Sequence, residues 1–224
     1  MTSAALPSIS PAMRRYAAEI YRLQEGREHV GVSDLAEHVE VSAQAVSRMI
    51  KRLKEAALLV HLPYRGVRLT EAGEQAAMPA IRRHRLVEVF LVRIMGYDWA
   101  EAHDLADTFE RGVDDALEDR IDEMTGHPTR CPHGDPIPNK DGIMPSLDDI
   151  ELVEMPSGAE GVLSRVRTHD PEKLRYLESI GLVPGVRFSL MSCAPFNGPM
   201  RLIFGKRDEV LGYELAKALR VERI

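Results

Sequence analysis

The chain has few of the residues on which secreted and membrane proteins depend. Among its 224 residues only Cys131 and Cys193 are cysteines, and they lie far apart without a partner motif. This scarcity argues against a disulfide framework and favours a reducing, cytoplasmic setting. No apolar run approaches the roughly 20 residues that a transmembrane helix needs. Residues 1–13 lack the basic cluster and apolar stretch of a secretory signal, so no such signal is expected.

Two common enzyme signatures are also missing. The sequence contains neither a His-Glu-x-x-His metallopeptidase motif nor a Gly-rich phosphate loop. A metal-dependent hydrolytic enzyme stays only as an alternative, since histidines with carboxylates can still activate water around a cation. What is present is the composition of a globular protein, with 44% hydrophobic and 29% charged residues.

Charge is distributed unevenly along the chain. The formal net charge of −6 argues against a protein that binds nucleic acid over its whole surface. Residues 42–68, however, contain six basic side chains against one acidic one, whereas residues 98–124 contain eleven acidic side chains against two arginines. A basic face on an acidic protein can contact phosphates with salt-sensitive affinity, although a charge run is also typical of a solvated helix face.

The pattern over residues 12–73 predicts a winged helix-turn-helix, which forms a first domain with bounds 1–73. Its first helix has a 3.6-residue apolar stripe. Ser33 is the expected N-cap of a second helix over residues 34–39, and Ser42 is the expected N-cap of a third, basic helix. The buried stripe of the third helix is predicted to comprise Val46, Ile50 and Leu53.

Two short strands, over residues 58–61 and 67–70, are expected to form a hairpin after the third helix. A three-helix bundle with a hairpin need not bind anything, but a basic recognition helix followed by a wing is the standard reader of double-stranded DNA. Gln44 and Arg48 are the candidate base readers, because an arginine matches the edge of guanine. The other candidate DNA contacts, mainly to phosphates, are Ser42, Ser47, Lys51, Arg52, Tyr64 and Arg65.

Residues 74–125 are predicted to be helical, within a second domain that spans residues 74–145. One helix is expected over residues 80–95, and another over residues 100–124 after a break at Gly96. The later helix has apolar residues spaced three or four apart, which suits core packing or a partner subunit. This row consists of Leu105, Phe109, Val113, Leu117, Ile121 and Met124. A two-fold homodimer is expected, because helix-turn-helix proteins usually bind paired half-sites.

Within these helices, histidines and carboxylates recur at helical spacing. His84 and Glu88 are four residues apart, and His103, Asp107 and Glu110 lie at positions i, i+4 and i+7. Such positions share one face of an α-helix, so each helix presents imidazole and carboxylate side by side. Two such helices can surround Mn(II), Fe(II), Co(II), Ni(II) or Zn(II), rather than Ca(II) or Cu(I). The plainer alternative is that each histidine is a satisfied core residue.

The remaining sequence changes in composition twice. Residues 126–150 are rich in Pro, Gly and Asp, and they are predicted to form a linker or extended loop. Cys131 and His133 lie in this loop without a second ligand pair, so they are not assigned to a zinc site. A third domain, residues 146–224, is predicted to be a small SH3-like β-barrel. Its expected strands cover residues 161–166, 187–192 and 200–204, and its expected helix covers residues 171–180.

The order of these segments resembles the diphtheria-toxin-repressor family of iron- and manganese-dependent transcriptional regulators. The resemblance covers residues 12–224, and the last domain is similar to the FeoA module. Besides the winged helix, it rests on His-Arg-Leu-x-Glu at 84–88, His-Asp-x-x-Asp at 103–107, Cys-Pro-His-Gly-Asp-Pro-Ile-Pro at 131–138 and Leu-Glu-Ser-Ile-Gly-Leu-x-Pro-Gly at 177–185. It implies a mainly α fold with a small all-β domain.

The resemblance also implies a function and a ligand set. It implies a cytoplasmic homodimer that binds operator DNA when Mn(II) or Fe(II) is loaded and represses metal-homeostasis genes. It implies neither a membrane nor a small organic substrate as a partner. The positions that match one metal site of the family, with Glu172 close enough to assist, are His84, Glu88, His103 and Asp170.

The second, activating site of the family is altered in this chain. Its matching positions here are Arg15, Asp107, Glu110 and Arg111. A guanidinium has no lone pair to donate to a metal. Arginine–carboxylate ion pairs can replace the cation, which makes a metal-insensitive dimeric DNA-binding protein another alternative. Met13 and Glu19 are further candidate donors, although neither matches the family's position. The absence of cysteine at position 107 favours Mn(II) over Fe(II), and other divalent transition metals are expected to bind in vitro.

Overall fold

The computed structural model describes residues 9–224. They form two compact units, of which the first comprises residues 9–83 with 138–144 and the second comprises residues 84–137 with 145–224. The division falls inside one continuous helix. The three-domain division expected from the sequence stays a prediction.

One expectation from the sequence falls largely outside the described part of the chain. The prediction that no secretory signal is present rests on residues 1–13, and residues 1–8 are not described. Among residues 9–224, no helix combines the length and the hydropathy that a bilayer-spanning segment requires.

The first unit has the helices and the hairpin of a winged helix-turn-helix. Ser42 caps the third helix as predicted, and its hydroxyl accepts a hydrogen bond from the backbone N of Ala45 at 3.3 Å. The two strands pair antiparallel, which confirms the predicted hairpin. The elements are α1 (Pro11–Gln24), α2 (Val32–His38), α3 (Ala43–Glu55), β1 (Leu59–Leu62), β2 (Gly66–Leu69) and the first part of α4 (Glu71–Arg93).

The prediction that Ser33 caps α2 is wrong. The helix begins at Val32, directly after Gly31, which has no side chain to cap it. The cause is a short pairing with the hairpin, in which the backbone N of Val30 and the backbone O of Val67 are 2.9 Å apart. The pairing ends at Val30, so the chain turns into the helix at once and Ser33 falls inside its first turn.

The helical region of the second unit contains the rest of α4, α5 (Trp99–Phe109) and α6 (Asp115–Met124). The predicted single helix over residues 100–124 is therefore wrong. A 3-10 turn over Glu110–Gly112 follows α5, and Asp114 then caps α6. The apolar spacing of three or four residues continues across this break, which is why the sequence pattern resembles one helix. Two members of the predicted row, Val113 and Ile121, are buried. Four members are exposed: Leu105, Phe109, Leu117 and Met124.

The segment that follows α6 is packed, although the sequence predicted a linker or extended loop. Cys131, His133 and Ile137 are 6%, 0% and 4% exposed. Gly134 has a φ of +90°, and a Cβ at this position would lie 2.0 Å from the backbone O of Ser164. Only glycine permits this backbone conformation and this close approach to Ser164, which belongs to the C-terminal domain. The turn at Gly134 therefore holds Cys131 and His133 in a fixed, buried place.

The C-terminal domain is an antiparallel sheet with two short helices. Its strands are β3 (Ile150–Glu151), β4 (Glu160–Val166), β5 (Arg187–Cys193), β6 (Met200–Phe204), β7 (Arg207–Leu211) and β8 (Leu219–Arg223), and its helices are α7 (Pro171–Ser179) and α8 (Tyr213–Lys217). The strand order is β3-β8-β4-β5-β6-β7. Within residues 9–224 the strands β3 and β7 are the two edges of this sheet, so it is not the closed barrel that the sequence predicted. Register shifts in β4 and β5 bend the sheet.

A buried ion pair connects the C-terminal sheet to the chain that precedes it. Arg165 Nε and Asp149 Oδ2 are 2.7 Å apart, and the two side chains are 7% and 4% exposed. Burial raises the pKa of Asp149, but the hydrogen bond and the charge of Arg165, with a hydrogen bond from Ser164, outweigh it and lower the pKa. A lowered pKa in the folded state means that the carboxylate stabilises the fold above its unfolded pKa. That contribution is lost as the pH falls through the folded pKa.

The substitution Asp149→Asn is expected to lower the free energy of unfolding at neutral pH by about 2 kcal/mol, because it removes charge-assisted hydrogen bonds of the buried Arg165 guanidinium, which keeps Asp135 at 3.1 Å as a counter-charge. Urea unfolding at neutral pH, and at pH values below about 3.9, measures this loss. The difference from the wild type should shrink at low pH, where Asp149 itself is protonated. Asp148→Asn, at the exposed neighbouring residue, is the matched control. A loss that is equal at all pH values would contradict the ion pair's role.

Candidate metal centre and nucleic-acid interface

The candidate metal ligands of the helical region come together in the second unit. The helix α4 supplies His84 and Glu88, which are one turn apart and each 2% exposed. The helix α5 supplies His103, which is 8% exposed, and the more exposed Asp107. Glu110 lies in the 3-10 turn after α5. The helical periodicity of the sequence thus predicted a real cluster.

Three donor atoms in this cluster form a nearly equilateral triangle. His84 Nε2 and Glu88 Oε1 are 3.2 Å apart, Glu88 Oε1 and His103 Nδ1 are 3.0 Å apart, and His84 Nε2 and His103 Nδ1 are 3.0 Å apart. With metal–ligand bonds of about 2.1 Å, neighbouring octahedral ligands lie about 3.0 Å apart, and tetrahedral ligands lie about 3.4 Å apart. The triangle therefore fits one face of an octahedron. Two imidazoles and one carboxylate on such a face are a ligand set suited to divalent transition metals.

The carboxylate of Glu88 is ionised in this buried place. Burial raises the pKa of Glu88, but the charges of His84 and His133, with hydrogen bonds from His103 and His133, bring it well below its usual range. A buried carboxylate that is surrounded by imidazoles is also a strong attractor for a cation. The donor set thus fits a divalent metal in chemistry as well as in geometry.

A second group of donors includes the same oxygen of the Glu88 carboxylate. His133 Nδ1 is 3.6 Å from Glu88 Oε1 and 4.0 Å from Cys131 Sγ. His133 Nε2 is 2.9 Å from the backbone O of Trp99 and donates a hydrogen bond to it, so Nδ1 is the nitrogen that faces the other two residues. Burial lowers the pKa of His133, but the charge of Glu88 raises it well above its usual range, so a cation at Nδ1 would have to displace a proton. Burial, followed by the charge of Glu88, raises the pKa of the Cys131 thiol to about 11.

The sequence interpretation missed this second group. It treated Cys131 and His133 as residues of an exposed loop, because no second ligand pair follows them in the sequence. The missing donor is Glu88, 43 residues before Cys131, and only the tertiary fold brings the two together. Within residues 9–224, Glu88, Cys131 and His133 form one possible metal-binding group, and His84, His103 and Asp107 form another.

The buried Cys131 and the exposed Cys193 are expected to differ strongly in reactivity. Only a thiolate reacts quickly with an electrophile, and it must also be accessible. In metal-free protein at neutral pH, iodoacetamide should therefore modify Cys193 quickly and Cys131 only after unfolding. Peptide mass spectrometry of a labelling time course measures both rates, and Cys193→Ser removes the fast one. Comparable labelling of the two residues in folded protein would be incompatible with the packed segment.

The ring of His84 also contacts two carboxylates through its other nitrogen. His84 Nδ1 is 3.2 Å from Asp107 Oδ1 and 3.2 Å from Glu110 Oε2. The side chain of Glu110 is 11% exposed and that of Asp107 is 52% exposed. Arg111 is exposed, and in the described part of the chain it forms no ion pair with either carboxylate. The proposed replacement of a cation by an Arg111 pair is therefore not seen.

The two predicted ligands from the β-domain lie at the start of α7. Asp170 caps this helix, and its Oδ1 accepts hydrogen bonds from the backbone N of Glu172 at 3.0 Å and of Lys173 at 3.4 Å. Glu172 is exposed, and neither carboxylate belongs to the two donor groups found within residues 9–224. The preceding residue, His169, stacks on His103 with ring centroids 3.7 Å apart. Asp170 therefore follows directly a residue that contacts the cluster.

The predicted DNA contacts are all accessible in the first unit. The eight residues, which lie on α3, at its N-cap and at the tip of the hairpin, are each exposed: Ser42, Gln44, Ser47, Arg48, Lys51, Arg52, Tyr64 and Arg65. Arg65 pairs with Glu28 at 2.9 Å and Lys51 with Glu55 at 3.9 Å. Such exposed pairs contribute little to stability. These two basic side chains can therefore leave their carboxylate partners and contact DNA phosphates.

Three family models match successive parts of the chain. Residues 8–67 match "Iron dependent repressor, N-terminal DNA binding domain". Residues 70–139 match "Iron dependent repressor, metal binding and dimerisation domain", and residues 150–223 match "FeoA domain". The three matches follow the order of the winged helix, the helices with the donor cluster, and the C-terminal sheet.

Known proteins resemble the chain over almost its whole length. It is 31% identical over 221 residues to the iron-dependent repressor IdeR of Mycobacterium tuberculosis, which covers 93% of this chain and 96% of that protein. It is 29% identical over 222 residues to the diphtheria toxin repressor of Corynebacterium efficiens, at 93% and 94% coverage. A manganese-dependent transcriptional repressor in complex with manganese superimposes with a TM-score of 0.88 at 36% identity, over 95% of this chain and 100% of that one. ScaR with bound Zn²⁺ superimposes with a TM-score of 0.79 at 30% identity, over 96% and 100%.

Proposed function

This chain belongs to the diphtheria-toxin-repressor family of metal-dependent transcriptional repressors, and we propose that it binds operator DNA as a homodimer when a divalent cation occupies the triangle of His84, Glu88 and His103. The family consists of DNA-binding regulators and not of enzymes. The observation that carries the proposal is this triangle of donor atoms, with edges of 3.0 to 3.2 Å, in a chain whose first unit presents an exposed basic helix.

The chemistry of the donors supports Mn(II) as the preferred cation, with Fe(II) next. Imidazole nitrogens and carboxylate oxygens suit both ions, and position 107 holds aspartate instead of a softer cysteine. A bound cation supplies positive charge that neutralises Glu88 in its buried place. Cys131 and His133, of which His133 faces the same oxygen of Glu88, are the proposed additional donors.

Asp170 and Glu172 remain proposed ligands from the β-domain. What supports them is the stacking of the adjacent His169 on His103. Asp170 also has an oxygen, Oδ2, that does not cap α7 and that pairs at 3.4 Å with Lys173, an exposed side chain. We also propose that the C-terminal sheet, which matches the FeoA domain, supplies these residues to the metal centre.

An exposed apolar surface on α5 and α6 supports the homodimer. Its residues are Leu105, Phe109, Leu117 and Met124, with exposed fractions between 36% and 46%. Large apolar side chains that cluster on a surface mark sites of protein association. Two-fold pairing through this surface would present two copies of α3 to successive turns of operator DNA, as a helix-turn-helix dimer requires. We also propose that the protein acts in the cytoplasm, as a DNA-binding regulator.

The proposed switch acts through α4. Metal binding restrains the residues that it joins, and His84 and Glu88 belong to the same continuous helix whose first part lies in the DNA-binding unit. Restraint of this helix favours the conformation that fits operator DNA. By linkage, DNA must raise the affinity for the metal by the same factor by which the metal raises the affinity for DNA.

A metal titration of DNA binding tests the proposed function. Duplexes are first selected from a random library with Mn(II)-loaded protein. Binding to them is then measured by fluorescence anisotropy with Mn(II), Fe(II), Co(II), Ni(II), Zn(II) or Ca(II), and after chelation. We expect Mn(II) to raise the DNA affinity about 5- to 150-fold, and Ca(II) to have no effect.

Two histidine variants complete this experiment. His103→Ala should lose the metal response, whereas His127→Ala, at an exposed histidine outside the cluster, should retain it. Equal DNA binding before and after removal of all metal would overturn the proposal in favour of a metal-insensitive DNA-binding protein.

A further inference from the structure

The buried His84 is held between two different sets of groups. Its Nε2 faces the triangle, at 3.2 Å from Glu88 Oε1 and 3.0 Å from His103 Nδ1. Its Nδ1 faces Asp107 Oδ1 and Glu110 Oε2, each at 3.2 Å. The ring is 2% exposed, so these groups dominate its surroundings on both sides.

A neutral imidazole has one N–H donor and one lone pair, on opposite nitrogens. Ionised carboxylates only accept hydrogen bonds, and both nitrogens of His84 face carboxylates, since Nε2 also lies 3.2 Å from Glu88 Oε1. A cation in the triangle would take the lone pair of Nε2, so in the metal-loaded protein the nitrogen that faces Asp107 and Glu110 carries the hydrogen. The lone pair is then on Nε2 and points into the triangle. Hydrogen bonds of this kind fix both the tautomer and the ring orientation of metal-binding histidines.

We propose that Asp107 and Glu110 are positioning residues for His84, and not ligands of a second cation. This proposal rests on the proposed function, since it requires the cation in the triangle. In this chain the carboxylates hold the His84 ring by accepting from Nδ1–H, and they increase the electron density that Nε2 donates. The family resemblance implied a second metal site at these positions. Here the two carboxylates instead orient a ligand of the cation in the triangle.

The composition of the altered site agrees with this role. Its two other matching positions hold Arg15 and Arg111, and neither guanidinium has a lone pair for a metal. His84 cannot supply the missing donor, because its single lone pair already serves the triangle. Two carboxylates alone, one of them about half exposed, would leave a second cation bound mostly by water.

The proposal separates metal affinity from metal stoichiometry. The variants Glu110→Gln and Asp107→Asn should bind as many Mn(II) ions per chain as the wild type. Their affinity for Mn(II) should be about 10-fold lower for each single variant and about 100-fold lower for the double variant. Equilibrium dialysis with elemental analysis measures both quantities. Glu110→Asp, which retains the charge, should recover part of the affinity. Asp104→Asn, the same change at an exposed residue of α5, is the matched control and should bind as the wild type.

A spectroscopic measurement tests the tautomer directly. In protein labelled with ¹⁵N-histidine and loaded with diamagnetic Zn(II), the His84 resonances should show Nδ1 bonded to hydrogen and Nε2 bound to the metal. A variant that bound one ion fewer with the remaining affinity unchanged, or a metal-bound Nδ1, would overturn the proposal. A separate variant tests the proposed function. His103→Ala leaves the Nδ1 contacts of His84 intact, so unchanged metal binding in this variant would show that the triangle is not the metal site. That result would contradict the proposed function and, with it, this proposal.

Discussion

The substitution Glu88→Gln is expected to weaken Mn(II) binding by about 100-fold or more and to abolish the metal-induced part of DNA binding. Glu88 Oε1 lies 3.0 to 3.6 Å from nitrogen atoms of His84, His103 and His133. It is therefore the anionic donor both of the triangle and of the group that it forms with Cys131 and His133. Loss of an outer-sphere hydrogen bond already costs about 10- to 100-fold in metal affinity, so loss of this ligand must cost at least as much.

The amide that Glu88→Gln introduces keeps the size and one acceptor oxygen of the carboxylate while it removes the charge. The variant should therefore fold, and circular dichroism with thermal unfolding will confirm this before its metal affinity is measured by calorimetry. Glu71→Gln, at an exposed position in the first turn of the same helix, makes the matched change and should leave the affinity unaltered. Retention of wild-type affinity by Glu88→Gln would show that the cation lies elsewhere.

The sequence predicted the triangle because helical periodicity is a local property. His84 and Glu88 share one face of α4 at a spacing of four residues, and His103 lies on the helix that follows the break at Gly96. The short break between the two helices then brings the donors of both faces together. The recognition helix was predictable for the same reason, since its buried stripe and its basic residues follow one period.

The second donor group was not predictable from local pattern. Cys131 and His133 lie in a segment that is rich in Pro and Gly, and such a segment has no periodicity that reveals which side is buried. Its position depends on Gly134, whose missing Cβ allows the backbone to approach Ser164. Only residues distant in sequence determine this contact, so the composition alone favoured an exposed linker.

The break between α5 and α6 was missed because two signals conflicted. The apolar spacing from Leu105 to Met124 continues as in one helix. Gly112 and the capping residue Asp114 mark an end and a new beginning. The open sheet was missed because β3, with two residues, and β7, with charged residues at its start, gave no clear alternation.

The substitution Arg48→Ala is expected to lower the affinity for the selected duplex about 10- to 100-fold, because one bidentate contact with a base contributes about 1–3 kcal/mol of discrimination. The loss should be confined to sequences that retain the base read by this side chain. Lys51→Ala should instead weaken binding equally for all sequences and reduce the slope of log affinity against log salt by about one. Anisotropy titrations at several salt concentrations separate the two effects. Arg187→Ala, at an exposed arginine in the C-terminal sheet, is the control.

These two variants also test the separation of the DNA-reading and metal-binding parts of the chain. Arg48 belongs to the first unit and the triangle belongs to the second, so without DNA each variant should bind Mn(II) with wild-type affinity. When enough DNA is present to saturate the protein, the metal affinity of each variant should rise by the coupling factor. Linkage depends on the DNA-bound state, and not on the affinity with which the DNA binds. If Arg48→Ala lowered the metal affinity of the free protein, α3 would be part of the metal site, and the division of roles between the two units would be wrong.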